Sequence, residues 1–350
     1  MDPQTQFCPN PACPARGLVG EGNIRVHSHQ ERRYRCWRCG RTFAATTGTL
    51  LYRRQYEPAV IGTVLTLLSH GCPPQAIVAA FAVDERTVAA WQQQAGAHCQ
   101  RVHEHLVQRG QVDLGHVQAD ELWVKLVGCK VWLAMAIALP SRLWLGGVVS
   151  AQRDRALLTA LLGRVRACAR GLAALVCVDL VLPDGVLIGQ VIKHYARRRV
   201  TGVVQRVVPG TPEAVAAVLE QTGGGTVINT AFIERLNATF RANLVSLVRR
   251  GRAIARTEAT LTAAMWLVGC AYNLCWCHTS LRQDAAPGTG RKWVERTPAM
   301  AAGLTDHPWT MEELLHYRVP VPAWVAPTRR RRPPKLHLLD AAAAPLPLAA

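Results

Sequence analysis

The sequence lacks the features that carry a chain into or across a membrane. Its N-terminus has no charged segment followed by an apolar run, so no secretory signal is expected. The longest uncharged stretch, from Leu261 to Cys277, is interrupted by Asn273 and is slightly short of a membrane span. We therefore interpret this stretch as a buried helix, and we expect a cytoplasmic protein without a membrane partner.

Acidic residues are scarce relative to basic ones. The chain has 23 Asp and Glu residues against 41 Lys and Arg residues, which gives a formal net charge of +18. The excess is spread along the chain, and this indicates a polyanionic partner such as double-stranded DNA. The 12 cysteines, without an export signal, indicate reduced thiols that are available to a metal and argue against a disulfide framework.

Four of these cysteines lie in two short pairs within residues 1–50. Cys8 and Cys13 are separated by four residues, Cys36 and Cys39 by two, and 22 residues lie between the pairs. Each pair can present two thiolates to a tetrahedral ion, so the spacing predicts a zinc ribbon that holds structural Zn²⁺. Basic and aromatic residues alternate around the second pair, a mixture that favours phosphate contact and base stacking. They are Arg32, Arg33, Arg35, Arg38 and Arg41, with Tyr34, Trp37 and Phe43, and Arg33, Arg35 and Arg38 are the predicted DNA contacts.

The pattern of residues 51–112 is typical of a helix-turn-helix domain. Pro74 begins a short helical segment that runs to Phe81, a turn follows, and Asp84 can cap a longer helix. The second helix of this motif enters the major groove of DNA, so Arg86 and Thr87 near its N-terminus are predicted to contact bases. Short helical pairs are also common in helical bundles, which is the alternative interpretation.

Residues 113–280 combine strand-like and helical patterns. We predict a three-stranded meander, then a helix, a buried parallel strand and two long helices. The expected bounds are His116–Val127, Lys130–Leu139 and Leu143–Ala151 for the meander, Arg155–Arg170 for the helix, Leu172–Asp179 for the parallel strand, and Thr230–Ala255 and Glu258–His278 for the long helices. This order predicts an α/β domain in which helices flank a mixed sheet.

Three carboxylates occupy notable places in this order. Asp120 lies on the first predicted strand, Asp179 ends the buried strand, and Glu234 lies on the first long helix. Carboxylates on two neighbouring strands and a helix can converge on two magnesium ions about 4 Å apart, which is the arrangement of two-metal phosphoryl transfer. Glu121 alternates to the opposite strand face and is expected to point away. Taken singly, an Asp at a strand end is more often a turn former than a ligand.

The first long helix is predicted to carry a basic stripe. At about 100° per residue, its polar face would combine one acid with an amide and several arginines, opposite an apolar face. The members of the polar face are Glu234, Asn237, Arg241, Arg249, Arg252 and Arg256. A phosphate backbone would be repelled by the lone acid unless a cation lay between them, which favours Glu234 as a metal ligand. The alternative is an ordinary amphipathic helix with a solvated charged face.

The motifs in this order resemble the transposases of the insertion-sequence-one family and relatives. The resemblance spans roughly Cys8 to His278, and its most specific part is Ile233-Glu234-Arg235-Leu236-Asn237. It implies a DDE catalytic core of ribonuclease H-like fold, with Asp120, Asp179 and Glu234 as the triad and two Mg²⁺ ions as the catalytic cofactor. It also implies a bacterial cytoplasmic protein that works on DNA as a homo-oligomer, with Asn237 and the basic stripe near the DNA.

The sequence departs from this family after Asp179. In such transposases the second Asp usually precedes Gly, whereas here Asp179 runs into Leu180, as though an internal deletion near 179–182 had truncated the sheet after its fourth strand. Asp184, which precedes Gly185, is an alternative second carboxylate. We therefore predict a transposase that cleaves and joins DNA, and the alternative is an inactive remnant that binds its element's ends as a repressor.

Residues 281–350 are predicted to form a basic C-terminal extension with a disordered end. Its run from Arg329 to Lys335 resembles an arm that enters the minor groove of DNA, and a solvated basic tail is an equal alternative.

Overall fold

The computed structural model describes residues 1–171, 175–177, 187–196, 199–207, 210–248, 254–288 and 290–325. Several sequence predictions lie outside these residues: those on Asp179 and Asp184, on the deletion near 179–182, on Arg249 and Arg252, and on the basic tail. The chain divides into two compact units, Met1–Phe43 with the segment from Val321 onward, and Ala44–Pro320. The fold is mixed α/β, as predicted.

A three-stranded sheet, in the order β1-β2-β3, forms the N-terminal part of the chain. Its strands are β1 (Ile24–Ser28), β2 (Arg33–Cys36) and β3 (Thr42–Ala44). Tyr34 and Phe43 are buried, and their ring centroids lie 5.8 Å apart. The prediction that both rings stack on bases is therefore wrong, because a fold this small needs them as its apolar core. Trp37 differs, since 61% of it is exposed.

Three helices follow, α1 (Pro58–Ser69), α2 (Pro74–Phe81) and α3 (Glu85–Leu106). The helix α2 ends where Ala82 adopts a left-handed conformation with φ of 50°. The Asp84 carboxylate then accepts a hydrogen bond of 2.8 Å from the Arg86 backbone N–H and caps α3. The predicted helix, turn and helix are confirmed at these bounds.

A six-stranded mixed sheet has the order β6-β5-β4-β7-β8-β9. The strands are β4 (His116–Lys125), β5 (Lys130–Ala138), β6 (Trp144–Ser150), β7 (Leu175–Cys177), β8 (Leu187–Ala196) and β9 (Arg199–Val207). The strands β4, β5 and β6 form an antiparallel meander, β7 is parallel to β4 and to β8, and β8 and β9 are antiparallel. The predicted meander and parallel strand are confirmed.

The sheet continues beyond its fourth strand, so the expected truncation there is wrong. Leu175 and Val176 of β7 pair in parallel with Leu187 and Ile188 of β8. Residues 178–186 link these two strands, and nine residues are fewer than the roughly 10–12 that a parallel crossover usually takes. The hairpin of β8 and β9 then extends the sheet without a second crossover.

The remaining helices and strands surround the sheet or follow it along the chain. They are α4 (Arg155–Cys168), α5 (Pro212–Gln221), α6 (Ala231–Asn243), α7 (Glu258–Cys270), β10 (Gln283–Asp284), β11 (Trp293–Val294), α8 (Pro298–Ala301) and α9 (Met311–His316). The predicted long helix Thr230–Ala255 is wrong, because α6 ends at Asn243 and Leu244 is extended. Tertiary packing overrides the helical pattern here, since Leu244 and Leu247 are buried and Ala255 bridges to Leu126 at the end of β4.

The predicted basic stripe is interrupted, because α6 ends before the later arginines of the stripe. Glu234, Asn237 and Arg241 lie on α6, whereas Arg256 is exposed in a bend before α7. The continuous cationic face over several turns is therefore wrong, and only its first two turns lie on a helix in the described residues.

The apolar stretch that we interpreted as a buried helix is confirmed as one. The segment Glu258–Leu281 is long and apolar enough to cross a membrane by composition, yet 72% of its most apolar window is buried, as in a core helix. Within it, α7 continues into a π-helical turn, Ala271–Cys275, and Trp276 is extended, so the predicted helix Glu258–His278 ends three residues early. Its Asn273 accepts a hydrogen bond of 2.9 Å from the backbone N–H of Trp144 and donates one of 2.8 Å to its carbonyl. Since β6 is an edge strand, this amide satisfies backbone groups that would otherwise be buried without partners.

The helices α3 and α7 approach each other closely at Gly96. A Cβ atom at Gly96 would lie 2.4 Å from Cα of Ala263 and 2.5 Å from its carbonyl oxygen. Only a residue without a side chain allows the two backbones to come this close. This contact joins the longest helix of the helix-turn-helix region to the helix that covers the sheet.

We expect Gly96→Ala to lower the free energy of unfolding by about 1–3 kcal/mol, because α3 and α7 must move apart. The matched control is Gly62→Ala on α1, where a Cβ would meet nothing within 4 Å. There the loss of unfolded-state freedom should stabilise the protein by about 0.5–1 kcal/mol. Urea denaturation followed by circular dichroism measures both. Equal effects of the two substitutions would contradict the close approach.

Candidate metal centre and acidic site

The four predicted zinc ligands lie together in one cluster. The sulfur atoms of Cys8, Cys13, Cys36 and Cys39 all lie within 4.8 Å of one another. The Cys8–Cys39 and Cys13–Cys36 sulfur distances are 3.7 and 3.8 Å. Tetrahedral zinc with Zn–S bonds of about 2.3 Å requires sulfur atoms about 3.8 Å apart. The described geometry therefore fits a tetrahedral metal such as zinc, and it is the only group of three or more ligand residues within the part of the chain that the structure describes.

The chemistry of the donors agrees with this geometry. Burial raises the pKa of the Cys8 and Cys13 thiols, since a lone thiolate there would lose its hydration. At Cys39 burial acts in the same direction, but hydrogen bonds from Asn10 and Arg41 outweigh it and lower the pKa to about 7. Four adjacent thiols release their protons together only when a cation balances the charge. A divalent metal would do so here.

The ribbon presents part of its predicted DNA-binding set to solvent. Arg35 and Arg38 are exposed, and Arg33 is half-buried because its guanidinium donates a hydrogen bond of 2.8 Å to Thr42. The exposed Trp37 ring has the guanidinium of Arg25 4.5 Å from its centroid. His27 and His29 are exposed and do not belong to the cysteine cluster. Among the three aromatic residues, only Trp37 is available to a base.

The start of α3 presents the two residues that we predicted to contact bases. Arg86 is exposed on the first turn of α3, and Thr87 is half-buried beside it. The following residue, Val88, is buried and anchors this turn. The N-terminus of α3 is therefore open to a partner, as the second helix of a helix-turn-helix must be.

The first acidic residue lies on β4, where successive side chains alternate between the two sheet faces. Asp120 accepts a hydrogen bond of 2.7 Å from the side-chain amide of Asn237 on α6. Glu121 points to the opposite face, where its carboxylate lies 3.4 Å from the guanidinium of Arg153. The two adjacent acids therefore serve different surfaces.

Helix α6 brings the second acidic residue to the same side of the sheet. Glu234 and Asn237 are three residues apart and share a face of α6. Asn237 is 2% exposed, whereas Glu234 lies exposed in the first helical turn. The Thr230 hydroxyl donates a hydrogen bond of 2.8 Å to the Glu234 carboxylate, which fixes its position. A carboxylate is also favoured at this position by the dipole of α6.

Gln118 holds the N-terminus of α6 against β4. Its side-chain oxygen accepts hydrogen bonds from the backbone N–H groups of Phe232 (3.1 Å) and Ile233 (3.0 Å), and its amide nitrogen donates one of 2.8 Å to the carbonyl of Asn229. Thr230, at the N-cap position, makes no side-chain cap of its own. Gln118 thus acts as the cap from a distant strand, two residues before Asp120 on the same strand face.

The structure places two of the three predicted catalytic carboxylates on β4 and α6, which the hydrogen bond between Asp120 and Asn237 joins. The third, Asp179, lies outside the described residues. The parallel pairing of β4 and β7 ends at Gln118 and Cys177. In sequence, Asp120 and Asp179 each follow these paired residues by two positions.

Sequence reasoning missed Gln118 and Thr230. A signal for Gln118 was present, because a polar side chain two positions before Asp120 must share its strand face. The pairing of Gln118 with the start of α6 spans more than a hundred residues, and no local pattern indicates such a contact.

A scan against protein-family models finds no match to this chain, and neither does a search of curated proteins.

We expect the purified protein to contain one zinc ion per chain, and Cys8→Ser to lose it because three thiolates bind zinc more weakly than four. Elemental analysis measures the metal content, and cobalt substitution should give the visible absorption of a tetrahedral thiolate site. The control is Cys129→Ser, at an exposed cysteine outside the cluster, which should keep its metal. Metal loss in both variants would argue against the four-cysteine site.

We expect Gln118→Met to lower the free energy of unfolding by about 2–4 kcal/mol, because it leaves two helix N–H groups and a carbonyl without partners. Hydrogen exchange should accelerate most in the first turn of α6. As a control, Gln100→Met removes a glutamine whose bond is to Glu104 within α3 and should change stability by less than about 0.5 kcal/mol. Unchanged protection in α6 would show that Gln118 does not hold the helix.

Proposed function

We propose that this protein is a DNA transposase with a DDE-type catalytic centre, which binds element ends and cleaves and joins DNA. The observation that carries the proposal is the hydrogen bond between Asn237 on α6 and Asp120 on β4. It joins the strand and the helix that bear two of the three predicted acids. Both residues belong to the motifs on which the family resemblance rests.

The order of the strands supports a ribonuclease H-like core. A three-stranded antiparallel meander is followed by a helix and then by β7, which lies parallel and adjacent to the first meander strand. This pairing makes β4 and β7 neighbours, and neighbouring strands are where such a core needs its first two carboxylates. In sequence, Asp179 follows the last paired residue of β7 by two positions, as Asp120 follows that of β4.

Asp120, Asp179 and Glu234 form the carboxylate set that we propose for two Mg²⁺ ions, since hard oxygen ligands are those that magnesium prefers. Bound between such carboxylates, magnesium supplies Lewis acidity to the attacking and leaving oxygens of an in-line displacement. The chain itself supplies orientation. Asn237 fixes the Asp120 carboxylate, Thr230 fixes that of Glu234, and Arg241 on the same helix positions the DNA strand.

The surface charge supports DNA as the substrate. The net charge of +18 favours a long polyanion, and the exposed residues at the start of α3 and on the ribbon favour a duplex. Enzymes of this kind act on two DNA ends at once, so we propose a homo-oligomer on DNA, in the bacterial cytoplasm.

The second candidate is a DNA-binding repressor without catalysis. The link between the parallel strands β7 and β8 favours it, because this link has nine residues in sequence, fewer than a crossover usually takes, and Asp179 is one of them. This candidate keeps the ribbon and the helix-turn-helix, and it needs no magnesium.

We expect Asp120→Asn and Glu234→Gln each to reduce magnesium-dependent cleavage by at least about 100-fold, because each carboxylate contributes several kcal/mol through the metals. DNA binding should change by less than about twofold. The substrate is duplex DNA taken from the regions that flank the coding frame. Gel analysis of cleaved and joined products measures the chemistry, and gel shift measures binding.

Glu121→Gln is the matched control, because it removes a carboxylate from the adjacent residue on the opposite strand face. It should retain most of the cleavage activity. Sequence-specific binding by the wild-type protein, together with no cleavage in magnesium or manganese, would select the repressor instead.

A further inference from the structure

The end of the hairpin formed by β4 and β5 carries an aromatic and cationic surface on the face opposite to Asp120. We call it the hairpin patch and define it by Trp123, Lys125, Lys130, Trp132 and Arg153. Trp123 shares the strand face of Glu121, two residues away, and lies directly across from Trp132 of β5. The candidate catalytic residues use the other face, so the proposed function leaves this surface without a role.

The two tryptophans are held in contact with cations. The Lys130 ammonium lies 5.6 Å from the ring centroid of Trp123 and 4.6 Å from that of Trp132. The Arg153 guanidinium lies 5.3 Å from the Trp132 ring and is oriented by its ion pair with Glu121. Despite these neighbours, Trp123 is 61% exposed, so much of its ring is open to a ligand.

A second observation concerns charge. Lys125 and Lys130 are paired directly across the two strands, and both are exposed. Like charges in this position destabilise a hairpin, and a bound anion would remove the repulsion. The rings favour a ligand with flat apolar faces, and the paired lysines favour one with negative charges. A single ligand for the whole patch must therefore offer both at close spacing.

We propose that the hairpin patch binds single-stranded nucleic acid, with unpaired bases stacked on Trp123 and Trp132 and phosphates at Lys125 and Lys130. Stacked bases and a phosphate backbone supply both properties, and base–aromatic stacking tolerates any sequence. A duplex hides its base faces and offers only its phosphates. A second copy of this chain is disfavoured because two identical cationic surfaces would repel each other.

The test compares two ligands of equal length, a labelled oligothymidylate and an abasic phosphodiester chain, by fluorescence anisotropy on the full chain. Trp123→Ala should weaken oligothymidylate binding roughly 10- to 100-fold and change binding of the abasic chain less than about twofold. Lys125→Gln, at the lysine that contacts neither ring, should weaken both ligands alike and reduce the slope of log affinity against log salt by about 0.7.

Val127→Ala is the control, because this residue is 63% exposed in the same hairpin but has no ring. Circular dichroism checks that each variant is folded. The proposal is overturned if the wild-type chain does not bind oligothymidylate, if Trp123→Ala affects the two ligands equally, or if Val127→Ala matches it. A concentration-dependent dimer that Trp123→Ala abolishes would instead assign the patch to self-association. Loss of catalysis in Asp120→Asn bears only on the other face and leaves this test intact.

Discussion

The position of α6 on the sheet depends on one buried amide. The first N–H groups of a helix have no partner within the helix, and burying them without partners costs about 1–3 kcal/mol each. Gln118 accepts two of these N–H groups and donates to the carbonyl of Asn229, so the start of α6 is fixed in both position and direction relative to β4. Glu234 and Asn237 follow within two turns, and the hydrogen bond of Asn237 to Asp120 is a consequence of that anchor.

A second buried amide also satisfies backbone groups by hydrogen bonding, at the edge of the sheet. Asn273 pairs with both backbone groups of Trp144 as a neighbouring strand would, and it does so from within an apolar helix. His103 adds a further contact to the carbonyl of Leu145, and burial lowers the pKa of this histidine to about 3, which keeps it neutral. Asn273 and His103 are therefore partners of the backbone, and their loss would expose β6 as a template for unwanted strand pairing.

The elements that sequence reasoning predicted correctly are those set by local chemistry. The turn after Phe81, the Asp84 cap and the strands of the meander all depend on residues within a few positions of one another. The cysteine cluster was also predictable, because metal geometry restricts the spacing of its ligands. The candidate acids Asp120 and Glu234 were proposed from their places on a strand and a helix and from a family resemblance, and nothing in local pattern indicated that Asn237 would bond to Asp120.

The predictions that were wrong concern segments whose structure is determined by tertiary contacts. The helical period continues in the sequence beyond Asn243, yet Leu244 is extended, Leu244 and Leu247 are buried, and Ala255 bridges to Leu126 at the end of β4. Tyr34 and Phe43 have aromatic rings that could stack on nucleic-acid bases, yet the small ribbon needs both rings as its core. In both places the sequence identifies the apolar residues. It does not indicate the surface against which they pack.

The strand β4 supplies two surfaces because its side chains alternate with a period of two. Gln118 and Asp120 face α6, while Glu121 and Trp123 face the hairpin patch, so each surface takes every second residue of one strand. A shift of one residue in the pairing with β5 would exchange the two sets and would turn Trp123 toward the face that α6 covers. The register is fixed at one end by the paired tryptophans and at the other by the Gln118 anchor. Any change that loosens either end should therefore disturb both surfaces together.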